Sequence, residues 1–378
     1  MNARARIEAA LAEAAVSGLP GIAAAAPLGD GTVIEVAAGV RGLDNPAPMT
    51  PDTVFWIASF TKALTTAAVL QLVEAGRIGL DDPASRWLPA LAAPKVLTGF
   101  DAAGAPQLAD AKTPITVRHL LAHTSGLAYE FCNAELARHG QATQPAPLGA
   151  AAGVPLVFEP GSGWAYGVGL DWAGELVMAV TGQTLDVYLA EHVFAPLGMT
   201  ETNFLPTWAQ AERRASMHAR GEGGALAPAP FGLPPPPHPA MGGGGAYSTA
   251  RDYLKFLEAI LGGGAPILKP ESLALMTGCE WEGPEVGVLP GVNAALCAGF
   301  DPFPGEVNRW GLGFLINPKP GPHGRAAGSL AWAGLANCYY WADPTTGVAG
   351  VFLAQLLPFG DPAALEAFGA FERAVYSA

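Results

Sequence analysis

Charge is scarce in this sequence. Only 14% of its 378 residues are Asp, Glu, Lys or Arg, and the 20 basic residues are outnumbered by 33 acidic ones. No run of Lys or Arg supplies the positive footprint that nucleic acid or an anionic membrane surface requires, so neither partner is expected. Cysteine is rare too. Cys132, Cys279, Cys297 and Cys338 are far apart and lack C-x-x-C spacing, so they form no dense disulfide framework and free thiols are expected. The segment Met1–Ala15 has no apolar core of the signal-peptide kind, and no run of about 20 apolar residues escapes interruption by charge, Gly or Pro. The expectation is a soluble, cytoplasmic protein. The G-x-S-x-G elbow of the α/β-hydrolases is absent as well.

What is present is apolar: half of the residues are hydrophobic, enough for one large core or two moderate ones. Gly and Pro punctuate these apolar segments and do not gather into one low-complexity tract, which implies many turns in a compact, enzyme-sized body.

One stretch organises the rest. Residues 58–76 open with Ser59-Phe60-Thr61-Lys62 and continue as an almost uncharged helical pattern that Gly76 ends. Apolar residues fall on nearly every face, so this helix is expected to be buried all round. Side chains at i and i+3 lie on one face, which lets Ser59 and Lys62 meet near the positive end of the helix. A lysine held in an apolar setting loses part of its preference for charge and can take a serine's proton. The plainer alternative makes Ser59 only an N-cap and Lys62 only the partner of an acid.

The remaining segments outline a fold. Gly21–Leu28 and Thr32–Gly39 flank the turn Gly29-Asp30-Gly31 and read as a hairpin. Asp82 and Pro83 suit the start of a helix, and Thr116 suits the cap of another, running to His123. His119 and His123 stand at i and i+4, but Leu120 follows His119 where a zinc protease has glutamate, so structural roles are expected for both. Residues 140–163 and Leu226–Pro239, with its run Pro234 to Pro237, read as loops. Met241–Thr249 lacks both G-x-G-x-x-G and the Walker lysine, which makes it a tight turn and no phosphate loop. Strand-like runs follow at Trp310–Ile316, Ser329–Trp332, Cys338–Trp341 and Val348–Leu356, before a helix from Pro362 to Val375. This order predicts an α+β protein, an antiparallel sheet covered by terminal helices with a helical middle inserted.

Four stretches, in order, carry a family resemblance: Pro51–Lys62, Leu120–Leu127 (with His123-Thr124-Ser125-Gly126), Tyr166, and Gly242–Thr249. Together they resemble the serine β-lactamase and penicillin-binding-protein superfamily, and within it the class C β-lactamase-like branch that includes family VIII carboxylesterases. The resemblance implies an α/β sandwich domain made of residues 1–80 and 240–378, a mostly helical domain of residues 81–239, and an active site in the cleft between them. Ser59 would be the acylated nucleophile, with Lys62 and Tyr166 sharing the base role as a coupled pair. The backbone N–H groups of Ser59 and Leu335 would form the oxyanion hole.

Two departures from the family pattern bear on substrate. Trp332-Ala333-Gly334 stands where the lactamases carry Lys-Thr-Gly, so the cation that anchors a drug's carboxylate is missing. A charge-assisted contact is worth roughly 1.5–3 kcal/mol, about ten- to a hundredfold or more in recognition. Val168 stands where the Tyr-x-Asn motif has its amide. Both changes make the cleft more apolar, with Tyr129 as a further candidate wall of the acyl pocket. The resemblance therefore implies a serine carboxylesterase for small, short-chain esters, needing no metal or organic cofactor. Its alternatives are a β-lactamase, a D-amino-acid peptidase or amidase, an acyltransferase, and a non-catalytic ligand-binding module.

Overall fold

The computed structural model describes residues 3–16, 18–28, 31–142, 153–229, 241–278 and 285–377. The tip of the first expected hairpin, the Pro234 to Pro237 run and Cys279 lie outside them. Among the described residues, no helix is long and apolar enough to cross a membrane.

The chain begins with α1 (Ala3–Val16) and the antiparallel pair β1 (Gly21–Pro27) and β2 (Val33–Gly39). A two-residue strand, β3 (Phe55–Trp56), leads into α2 (Thr61–Glu74). Short α3 (Val117–Leu121) and the longer α4 (Gly169–Thr181) belong to the middle of the chain, as does an unanticipated hairpin of Lys95–Phe100 with Pro106–Asp110. Next come β4 (Tyr247–Ser248), paired with β3, and α5 (Ala250–Leu261). The last part supplies β5 (Arg309–Trp310), β6 (Leu315–Ile316), β7 (Leu330–Gly334), β8 (Cys338–Asp343), β9 (Val348–Leu353) and α6 (Pro362–Tyr376).

Seven strands form one antiparallel sheet in the order β2-β1-β9-β8-β7-β6-β5, so the N-terminal hairpin completes a sheet made largely by the C-terminal third. Alternation along β8 assigns the two faces. Tyr339 stacks on Phe368 of α6, whereas Tyr340 packs against Tyr253 of α5 and edge-on to Phe60, the residue after Ser59. The antiparallel sheet between helices expected from the sequence is therefore the architecture found. Two expected strands are broken: Trp310–Ile316 is a tight hairpin rather than one run, and the segment from Val348 leaves the sheet after Leu353.

Local signals explain the helix starts. Thr116 accepts a hydrogen bond from the His119 N–H while His119 accepts from the Thr116 N–H, a reciprocal cap. Thr249 caps α5 through the Asp252 N–H, and Asp361 caps α6, where Pro362 occupies the first turn. Pro83 instead precedes a single 3₁₀ turn, Ala84–Arg86, because its ψ of 122° is extended. In α2 eleven of fourteen residues are buried, so this helix owes its place to packing on all sides, as its sequence pattern requires.

Candidate active site

The turn that carries Ser59 is not the first turn of α2. Ala58–Phe60 form a 3₁₀ turn, and neither that turn nor α2 has a side-chain cap. Ser59 therefore does no capping, and the N-cap alternative left open by the sequence is excluded. Ala58 sits at φ +45°, a left-handed conformation that costs a non-glycine residue roughly 1–3 kcal/mol unless its surroundings enforce it. Three contacts enforce it here. Thr61 Oγ1 donates to the Ala58 carbonyl at 2.6 Å and accepts from the Ala246 N–H at 3.1 Å, while the Ile57 N–H donates to the Ala246 carbonyl at 3.0 Å. Strand β7 closes the other side: a Cβ on Gly334 would lie 2.6 Å from the Ile57 carbonyl oxygen.

Lys62, one turn further on, is fully buried. Its ammonium has three hydrogens and finds three acceptors: Ser59 Oγ at 3.0 Å, Tyr129 Oη at 3.2 Å and the Gly243 carbonyl at 2.6 Å. It also lies 4.7 Å from the ring centre of Tyr166 and 5.1 Å from that of Tyr129. Burial pulls Lys62 down from the ordinary lysine range to about 7, with Asp171 and Cys132 opposing the shift. Half-buried Ser59 thus faces an amine that can exist as a free base near neutral pH.

Tyr166 meets the serine from the other side. Its hydroxyl accepts the Trp332 Nε1–H at 3.1 Å. Burial pushes the phenol upward and outweighs the opposing pull of Ser59 and Trp332, so it keeps its proton at neutral pH. The phenol's own desolvation therefore works against the phenolate that a base role shared with Lys62 would draw on. The tyrosine's position is set by its neighbours: the Ala165 N–H donates to the His123 carbonyl at 3.0 Å, and the Gly167 N–H donates to His123 Nδ1 at 3.3 Å. His123 is buried and kept neutral by burial and by Lys62, and so serves this loop as a structural histidine.

Of the other residues picked out from the sequence, Trp332 is buried, with its indole packed on Tyr166 at 4.9 Å and edge-on to Trp310 at 4.5 Å. Ala333 and Gly334 follow it on β7, and half-buried Leu335 comes just beyond the strand. Val168 is half-buried at the start of α4, where its carbonyl accepts from the Asp171 and Trp172 N–H groups. Tyr129 stacks on Phe131 at 5.0 Å, and its hydroxyl is directed to Lys62.

Sequence reasoning missed Asp171. Its carboxylate accepts from the Gly243 N–H at 2.9 Å and from Tyr129 Oη at 3.3 Å, which places it one hydrogen bond from both of those partners of Lys62. The glycine tract fits against it: a Cβ on Gly243 would lie 2.4 Å from Asp171 Oδ2, and one on Gly242 would lie 2.4 Å from the Leu170 carbonyl. The glycines serve close approach of backbone to helix, consistent with the tight turn expected from the sequence. The remaining signal was weak: an acid in the first turn of a helix is ordinary.

Known proteins share this arrangement of chain. The Beta-lactamase family model matches residues 5–374. Acyltransferase calJ of Penicillium decumbens is 33% identical over 361 residues, which cover 90% of this chain and 85% of that protein. Lovastatin esterase of Penicillium rubens is also 33% identical, over 342 residues and 85% of each chain. Among solved structures, the LovD6 mutant of simvastatin synthase from Aspergillus terreus superposes with a TM-score of 0.86 at 32% identity, covering 100% of this chain and 98% of that one. An acyltransferase and an esterase stand at equal identity, so similarity supports acyl-group chemistry without singling out hydrolysis. With the family model spanning nearly every residue and the fold shared end to end, the chain belongs to the Beta-lactamase family.

Proposed function

We propose that this protein is an acyltransferase that works through an acyl-Ser59 intermediate, passing a small acyl group from an ester or thioester donor to an alcohol. The observation that carries the reading is the 3.0 Å hydrogen bond between Ser59 Oγ and the fully buried Lys62. Lys62, with its affinity for protons lowered to about 7, takes the proton of Ser59 as Oγ attacks the donor carbonyl. The Ser59 and Leu335 N–H groups hold the oxyanion, and the leaving alcohol or thiol takes a proton through Tyr166. In the second half the acceptor alcohol gives its proton back along the same route and attacks the acyl-serine, restoring Ser59.

The choice of alcohol over water rests on the acyltransferase relative, and the buried, mutually packed rings of Tyr166, Trp310 and Trp332 make the surroundings of Ser59 apolar. Hydrolysis of short-chain esters, the reading from sequence, remains the second reading, and the esterase relative favours it. The two are separated by partition. With a p-nitrophenyl ester as donor, rising alcohol concentration should convert product from free acid to new ester while p-nitrophenol release persists. Free acid as the sole product at every alcohol concentration would assign the protein to hydrolysis.

A further inference from the structure

We propose that Asp171 is a positioning residue of the acylation step: through the Tyr129 hydroxyl and the Gly243 peptide it aims the Lys62 amine at Ser59 and supplies its counter-charge. The inference rests on the role of Lys62 as the base of an acyl-serine enzyme and adds what sets that base.

The geometry is a closed loop of hydrogen bonds. Lys62 Nζ donates to Tyr129 Oη at 3.2 Å, and Tyr129 Oη donates to Asp171 Oδ2 at 3.3 Å. On the other branch Lys62 Nζ donates to the Gly243 carbonyl at 2.6 Å, and the Gly243 N–H donates to Asp171 Oδ1 at 2.9 Å. One carboxylate thus fixes two of the three acceptors of the amine, and the third direction points at Ser59 Oγ. With two directions set, the amine cannot swing away from the serine without breaking both branches.

Asp171 suits the task chemically. It sits in the first turn of α4, where the positive helix end favours a carboxylate, while desolvation raises its affinity for protons and Lys62 and the Gly243 N–H lower it. A direct ion pair would hold Lys62 charged. Bridging the two through a hydroxyl and a peptide lets the carboxylate orient the amine while burial still leaves it able to lose its proton. The groups facing Lys62 are Ser59 on the preceding 3₁₀ turn, Tyr129 and Cys132 from the segment before α4, Tyr166, His123, and Asp171 on α4; of these Asp171 exerts the largest pull against the lysine's loss of charge.

The test compares wild type, Asp171→Asn and Tyr129→Phe as full-length protein in two readouts. The first is the pH profile of the acylation burst from a p-nitrophenyl ester, and the second is titration of Lys62 by ¹³Cε-lysine NMR. In Asp171→Asn the lysine loses its counter-charge, so its titration and the acid limb of the burst should both move to lower pH. The burst rate on the plateau should fall about tenfold or more, with little change in donor KM. Tyr129→Phe keeps the carboxylate and the ring stack with Phe131, so it should lower the plateau rate and move the limb little. A limb, NMR titration and plateau all unchanged in Asp171→Asn would overturn the inference; should that variant fail to fold, a wild-type plateau in Tyr129→Phe would overturn it. Wild-type protein that never acylates Ser59 would overturn the proposed function, and this inference with it. Normal wild-type acylation with unmoved variants would overturn the inference alone.

Discussion

At the residue scale the account turns on which of two groups near Ser59 is free of its proton. Burial acts on both Lys62 and Tyr166 but in opposite senses, bringing the lysine down to about 7 and sending the phenol up. A base must be unprotonated to act, so acylation should be slow in acid and rise with pH through a midpoint near 7, where Lys62 gives up its proton. Burst rates between pH 5 and 9 check this; a flat profile there, or a rise only above pH 9, would move the base role to another group. Trp332 makes a second residue-scale case. Its Nε1–H is a 3.1 Å donor to Tyr166 Oη, so Trp332→Phe keeps an aromatic ring but removes the bond. Turnover should drop about tenfold, and thermal unfolding should shift down by a few degrees, since the lost hydrogen bond is worth about 1 kcal/mol and the smaller ring leaves space in a buried site.

At the element scale the site depends on three pieces of chain that meet backbone against backbone at Ile57 and are bridged by the side chains of Thr61 and Lys62. The Ser59 turn, strand β7 and the glycine turn before β4 touch through Ile57, Gly334, Ala246 and Gly243. Gly334→Ala tests this packing. The added methyl would lie 2.6 Å from the Ile57 carbonyl and must displace the left-handed Ala58 on which the position of Ser59 depends. We expect turnover to fall by about a hundredfold, and stability by about 1–3 kcal/mol, from overpacking. Parallel kinetics and thermal unfolding check it: stability lost with turnover intact would mean that the strand supports the fold without holding the serine. Sequence reading reached these elements but not their closeness. The Ser59/Lys62 spacing, the Thr116 cap and the N-terminal hairpin are local patterns and were legible. The bond from Lys62 to Gly243 joins residues 181 apart, and that from Trp332 to Tyr166 joins residues 166 apart, so neither leaves a periodic trace. The 3₁₀ turn at Ser59 was hidden for the same reason, because Ala246 and β7, distant in sequence, join Thr61 in holding Ala58 left-handed.

At the scale of the whole molecule, the sheet joins the first 39 residues to the last third, and Phe60 packs the Ser59 turn against Tyr340 of that sheet and Tyr253 of α5. Tyr253 Oη donates to the Phe60 carbonyl at 3.0 Å, tying α5 to the same turn. The fold was therefore legible as an order of elements, whereas Asp171 was not legible as a member of the site, because the glycine turn that meets it arrives from 72 residues away. The central claim is that this frame presents Ser59 as a nucleophile that becomes covalently acylated. Intact-protein mass spectrometry after rapid mixing with a p-nitrophenyl ester, on wild type and Ser59→Ala, tests it most directly. The account predicts one added acyl group in wild type, mapped to Ser59 by peptide digestion, and none in the variant. An adduct of equal yield in Ser59→Ala, or burst release of p-nitrophenol from wild type with the acyl group mapped to another residue, would contradict it.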